Sequence, residues 1–94
     1  MSQSVEDLTV NYEEGGLQVV KELDKCVLTK GAWSTVLFRY QEMNRSTQEY
    51  GPDKYVIRRY QKKDGNYLPR SKFVISSPDQ ARRIIDALNQ WLED

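Results

Sequence analysis

Apolar and polar positions alternate through much of this chain. Between Ser34 and Met43, Val36, Phe38 and Tyr40 share one parity while Leu37, Arg39 and Gln41 share the other, the two-residue period of a strand. Tyr55–Lys62 repeats the pattern, with Tyr55, Ile57 and Arg59 on one side and Val56, Arg58, Tyr60 and Lys62 on the other. The dipeptide Asp64-Gly65 lies between this run and Tyr67–Ile75 and supplies the positive φ angles that a tight hairpin needs. Pro69 cannot donate to a ladder, so its strand is expected at an edge or a bulge, with Phe73 and Ile75 toward the core and Lys72 and Val74 opposite. Leu17–Thr29 is ambiguous. Leu17, Val20, Leu23 and Val27 suit a helix, whereas Val19, Val20, Val27 and Thr29 favour a strand.

The period changes to helical after Ser77. Ser77-Pro78-Asp79-Gln80 combines a capping hydroxyl, a proline in the first turn, an acid at the positive end of the dipole and the glutamine of a capping box. Ala81, Ile84, Ile85, Leu88, Trp91 and Leu92 then form one apolar stripe. That stripe is long for one helix on one sheet. Ile85, Leu88, Trp91 and Leu92 are accordingly expected at an interface with a second subunit. Residues 1–16 are polar and acidic and read as a flexible tail, leaving residues 17–94 as one domain. Asn44–Asp53 reads as a surface loop ending in Gly51-Pro52-Asp53.

Charge sharpens this outline. The 94 residues carry no net charge, but residues 1–29 sum to −4, residues 30–72 to +6 and residues 73–94 to −2. A cationic β-region between acidic ends suggests a polyanionic partner that the overall pI would not. The outward side of the strands is expected to present Arg39, Arg58, Lys62 and Lys72 with Tyr60 among them, and Lys30, Lys63 and Arg70 at strand ends or turns. Guanidinium and ammonium groups neutralise phosphates, and exposed rings stack on unpaired bases. Arg59, on the parity of Ile57, is expected in an ion pair at the sheet margin.

Catalytic chemistry finds little support. Histidine is absent, and Cys26 has no second cysteine to bond; it is expected to be a small buried apolar residue. No nucleophile–base pair, metal-ligand cluster or cofactor motif appears, and Gly15-Gly16 lacks the residues of a phosphate loop. No run of about 18 apolar residues suggests a membrane span.

Tyr55-Val-Ile-Arg-Arg-Tyr60, the turn at Gly65, then Pro69, Lys72 and Ser77-Pro78-Asp79-Gln80 resemble the C-terminal domain of the transcriptional coactivator positive cofactor four. Lys30-Gly31-Ala32-Trp33 and Val36-Leu37-Phe38-Arg39 fit its upstream strands, so the likeness spans roughly residues 17–92. Small bacterial and phage relatives carry an apolar-acidic strand like Leu17–Thr29, which favours strand there. The resemblance implies an α+β fold, four curved antiparallel strands followed by one helix, assembled as a homodimer that holds single-stranded DNA on its sheets. Family DNA contacts carry over to Arg39, Arg58 and Lys72, while the family's stacking aromatics fall on Gln41 and Gln61 here.

The expected protein is therefore a non-enzymatic, weakly sequence-selective single-stranded DNA-binding dimer acting in transcription, replication, recombination or repair. No cofactor, metal or membrane contact is expected. Transcription or replication proteins are candidate partners, and the compartment would be the cytoplasm in a bacterium or phage host and the nucleus in a eukaryote. An RNA regulator using the same surface, or an adaptor docking an acidic protein, are the alternatives.

Overall fold

Four long antiparallel strands and a C-terminal helix dominate a computed structural model that describes residues 4–93. The long strands are β2 (Leu17–Thr29), β3 (Trp33–Asn44), β5 (Lys54–Lys63) and β6 (Asn66–Ile75), and α1 spans Pro78–Leu92. The ambiguous Leu17–Thr29 segment is a strand. Two short strands exceed the expected four: β1 (Tyr12–Glu14) pairs with β2, and β4 (Glu49–Tyr50), inside the anticipated loop, pairs with β3. The order is β1-β2-β3-β5-β6, antiparallel at every pairing in the path.

Local chemistry places the connections. Asp64 and Gly65 take φ of 54° and 80°, so both central residues of the β5–β6 hairpin are left-handed, the geometry a two-residue turn requires. The β5–β6 register slips between Arg59 and Tyr60, where Tyr60 faces Pro69; the proline lies at a bulge on the edge strand. Ser77 Oγ accepts from the Gln80 amide at 3.1 Å, while Gln80 Oε1 accepts from the Ser76 amide at 2.9 Å. The return bond of the capping box thus lands one residue earlier than in the usual motif.

Cross-strand register decides which face is the core. Val36 sits opposite Arg58 and Phe38 opposite Val56, so Val36, Phe38, Tyr40, Val56 and Tyr60 share one face and are all buried. We call this the closed face, because residues N-terminal to β1 cover it. Val5, Leu8 and Val10 are 4–6% exposed and join the same cluster. The 1–16 segment expected as an acidic tail therefore supplies core side chains from residue 5 onward; residues 1–3 lie outside the described residues. Ordering this arm is favourable because three aliphatic side chains leave water together, each worth about 1.5–3 kcal/mol. Polar contacts locate it. Lys25 Nζ donates to the carbonyls of Glu6 and Leu8 at 2.6 and 2.7 Å, and Glu22 accepts from Thr9 Oγ1 at 2.6 Å.

The other face is open. Leu37 faces Ile57 and Arg39 faces Tyr55, and the helix approaches this face only at its Tyr55–Ile75 end. Ile75 is buried there, whereas Phe73, expected in the core beside it, is 54% exposed. The helix buries none of its residues fully. Cys26, opposite Leu37, is exposed rather than buried, because its parity places it on the uncovered side.

Candidate nucleic-acid interface

The same register separates the cations that the sequence reading placed together. Arg39 lies on the open face with Tyr55, whereas Arg58 lies on the closed face, directly opposite Val36 on one side and Lys72 on the other. Tyr60, expected as an exposed stacking ring, is 3% exposed in the core. The expectation failed at one step. The parities within each strand hold, but a shared outward side for Arg39 and Arg58 requires Ile57 on Phe38's side of the sheet, and the pairing puts Ile57 beside Leu37 instead.

On the open face, β3 and β5 bring together a group that no motif announced. Trp33 pairs with Gln61 and is 43% exposed. The Arg59 guanidinium lies 4.8 Å from the Trp33 ring centroid; it makes no ion pair among the described residues, contrary to expectation. Arg70, displaced at the bulge, donates from Nε to Gln61 Oε1 at 3.0 Å. Farther along, Arg39 is 3.9 Å from Asp53, which also accepts from Gln41 Nε2 at 2.9 Å. Arg59 and, through Gln61, Arg70 thus lie beside a half-exposed tryptophan on an otherwise uncovered sheet surface, with Arg39 farther along the same face. The available signal was the odd parity shared by Trp33, Arg39, Arg59 and Gln61, together with the register.

The remaining predicted cations sit elsewhere. Lys30 pairs with Glu6 of the arm at 2.9 Å; that bond holds the Glu6 carboxyl below the ordinary carboxylate value and raises the Lys30 ammonium. Lys62 lies 5.7 Å from the Tyr67 ring, and Lys63 stands exposed at the β5–β6 hairpin. On the closed face, burial pushes the Tyr40 hydroxyl above its usual value, reinforced by Glu42 and opposed by Lys54 and Arg58. Glu42 is held by Lys54 at 2.9 Å. Arg58 Nε and Tyr60 Oη are buried without a hydrogen-bond partner among the described residues.

The helix stripe expected at an interface is exposed. Ile85, Leu88, Trp91 and Leu92 are 47–79% accessible. Beside them, Leu37, Tyr55, Ile57, Ile75, Ala81 and Ile84 line an apolar groove of about 420 Å³ between helix and sheet. Among the described residues no three His, Cys, Asp or Glu side chains gather as a metal site, and no helix is long and apolar enough to cross a membrane. No family model, curated relative or solved structure matches this chain.

Proposed function

We propose that the protein is a non-enzymatic single-stranded DNA-binding protein with little sequence preference, acting on the open face of its sheet. The observation that carries this reading is the exposed Trp33 ring with Arg59 against it and Arg70 on its cross-strand neighbour Gln61, and with Arg39 farther along the same face. A single strand offers unstacked bases to an aromatic ring, and its phosphates are met by guanidinium groups; base stacking of this kind contributes about 1–3 kcal/mol per base. A duplex hides its base faces and gains only the phosphate term. The resemblance of residues 17–92 to the coactivator family supports the same ligand. The stacking position, however, is Trp33 rather than the family's own, which are Gln41 and Gln61 here.

The active unit in this proposal is a homodimer. A helix with Leu88, Trp91 and Leu92 this exposed, beside an apolar groove on the same molecule, is half of an interface that a second copy can complete. Trp33 lies four residues along β3 from Leu37 in the groove, about 13 Å at strand rise, so closing the groove leaves the Trp33 end free.

The test is fluorescence anisotropy of a labelled mixed-sequence single strand and its duplex at two salt concentrations. Salt-sensitive binding that favours the single strand is expected, with Trp33 emission quenched. The variant Arg39→Ala/Arg59→Ala should lose about tenfold or more in affinity while remaining folded. Equal weak binding to both forms, or unchanged affinity in the folded double variant, would overturn the reading. Matched DNA and RNA strands then separate a DNA protein from an RNA regulator.

A further inference from the structure

The closed face holds two cations with no acidic partner among the described residues. Arg58 and Lys72 are direct cross-strand partners, and like charges so placed repel. Neither has an acidic partner or a hydrogen bond among the described residues, and Arg58 Nε is shut away from solvent with nothing to donate to. Proteins rarely leave a buried charged donor unmet. Both side chains line one cleft of about 410 Å³ between the N-terminal arm and the sheet. Its walls are apolar at Val10, Val20, Val56 and Val74 and polar at Thr9 and Asn11 on the arm. The one carboxylate on its lining, Glu42, is already engaged by Lys54.

We propose that this cleft is a binding site for a small phosphate monoester of mononucleotide size. Two facing cations, one a guanidinium suited to bidentate contact, match a dianionic phosphate, and a cavity of this volume with mainly apolar walls accepts a planar organic body. The arm bearing Thr9 and Asn11 lies across the cleft, which favours a free small molecule over a continuous strand. The site lies on the opposite face from Trp33, and it stands or falls independently of the nucleic-acid reading.

The test is calorimetry and thermal melting of the full chain with adenosine 5′-monophosphate, with adenosine as the phosphate-free control and inorganic phosphate alongside. Adenosine 5′-monophosphate should bind and raise the melting temperature, and adenosine should do neither. Arg58→Met should weaken the nucleotide by about tenfold or more, without lowering the melting temperature of the unliganded protein, since it removes a half-buried guanidinium whose buried Nε has no partner among the described residues. Should Arg58→Met fail to fold, Lys72→Gln on the edge strand carries the same comparison. Lys63→Ala, at the hairpin, should leave nucleotide binding unchanged. The proposal is overturned by absence of nucleotide binding, by equal effects of nucleotide and adenosine, or by equal weakening in Lys63→Ala. Binding of an oligonucleotide but not the mononucleotide through Arg58 would overturn it too, assigning that residue to the strand.

Discussion

Adjacent residues of β5 illustrate how one position changes a side chain's role. Arg58 points into the closed face and its Nε has no hydrogen-bond partner among the described residues, while Arg59 points out and rests on Trp33. Phe38 and Phe73 show the same contrast in apolar form, at 0% and 54% exposure. Phe38→Ala should cost about 3–5 kcal/mol, because it removes a ring from the packed cluster and leaves a cavity. Phe73→Ala should fall within about 0.5 kcal/mol of the native chain, as exposed substitutions usually do. Urea denaturation of both variants checks the pair. Similar losses at the two positions would mean that the open face is packed against something, or that the faces are misassigned. Residue chemistry alone could not separate these phenylalanines, since each sits in an alternating strand with a basic neighbour.

At the scale of elements, the helix start and the hairpin were legible because their signals are local. Ser77 caps, Pro78 occupies the first turn, and Asp64-Gly65 turns as its backbone freedom allows. Ser77→Ala should cost about 1 kcal/mol, read as a lowered helical signal and melting temperature. The arm was not legible. Val5, Leu8 and Val10 are spaced among acids and show neither strand nor helix period over a useful window, so only the face they meet explains them.

That attachment has a pH signature. Hydrogen bonds from Lys30 and Arg45 hold the Glu6 and Glu14 carboxyls below their ordinary value of 4.5. Both groups therefore stabilise the fold above that pH, and the contribution is lost as the pH falls through their lowered values. Lys30 and Arg45, both raised, would lose theirs only far on the alkaline side. On acidification, amide protection in Val5–Val10 and in β1 should fall before protection in β3 and β5. Hydrogen exchange resolved by NMR at neutral and acid pH measures this order. Simultaneous loss across the sheet would show that the arm is not a separate unit.

For the whole molecule, the balance of covered and uncovered surface is decisive. The described chain is a flat body, 17 Å along its shortest axis, with the arm on one side of the sheet and the helix reaching only one end of the other. Leu88→Asp or Trp91→Asp should convert the proposed dimer to a folded monomer, because these side chains make little contact within their own chain. Sedimentation velocity together with circular dichroism tests this; a native chain that is monomeric at micromolar concentration would remove the dimer from the proposal. Alternation, turn chemistry and capping were enough, from sequence alone, to place three of the four long strands and the helix and to segregate the charge, while Leu17–Thr29 stayed ambiguous by period. They act over a few residues, and their physics is complete within that range. The tertiary structure decided the strand register, the arm's place in the core, and with them which cations share a face. A strand has two equivalent sides until a partner is paired to it, so a shift of one residue in register moves every side chain to the other surface.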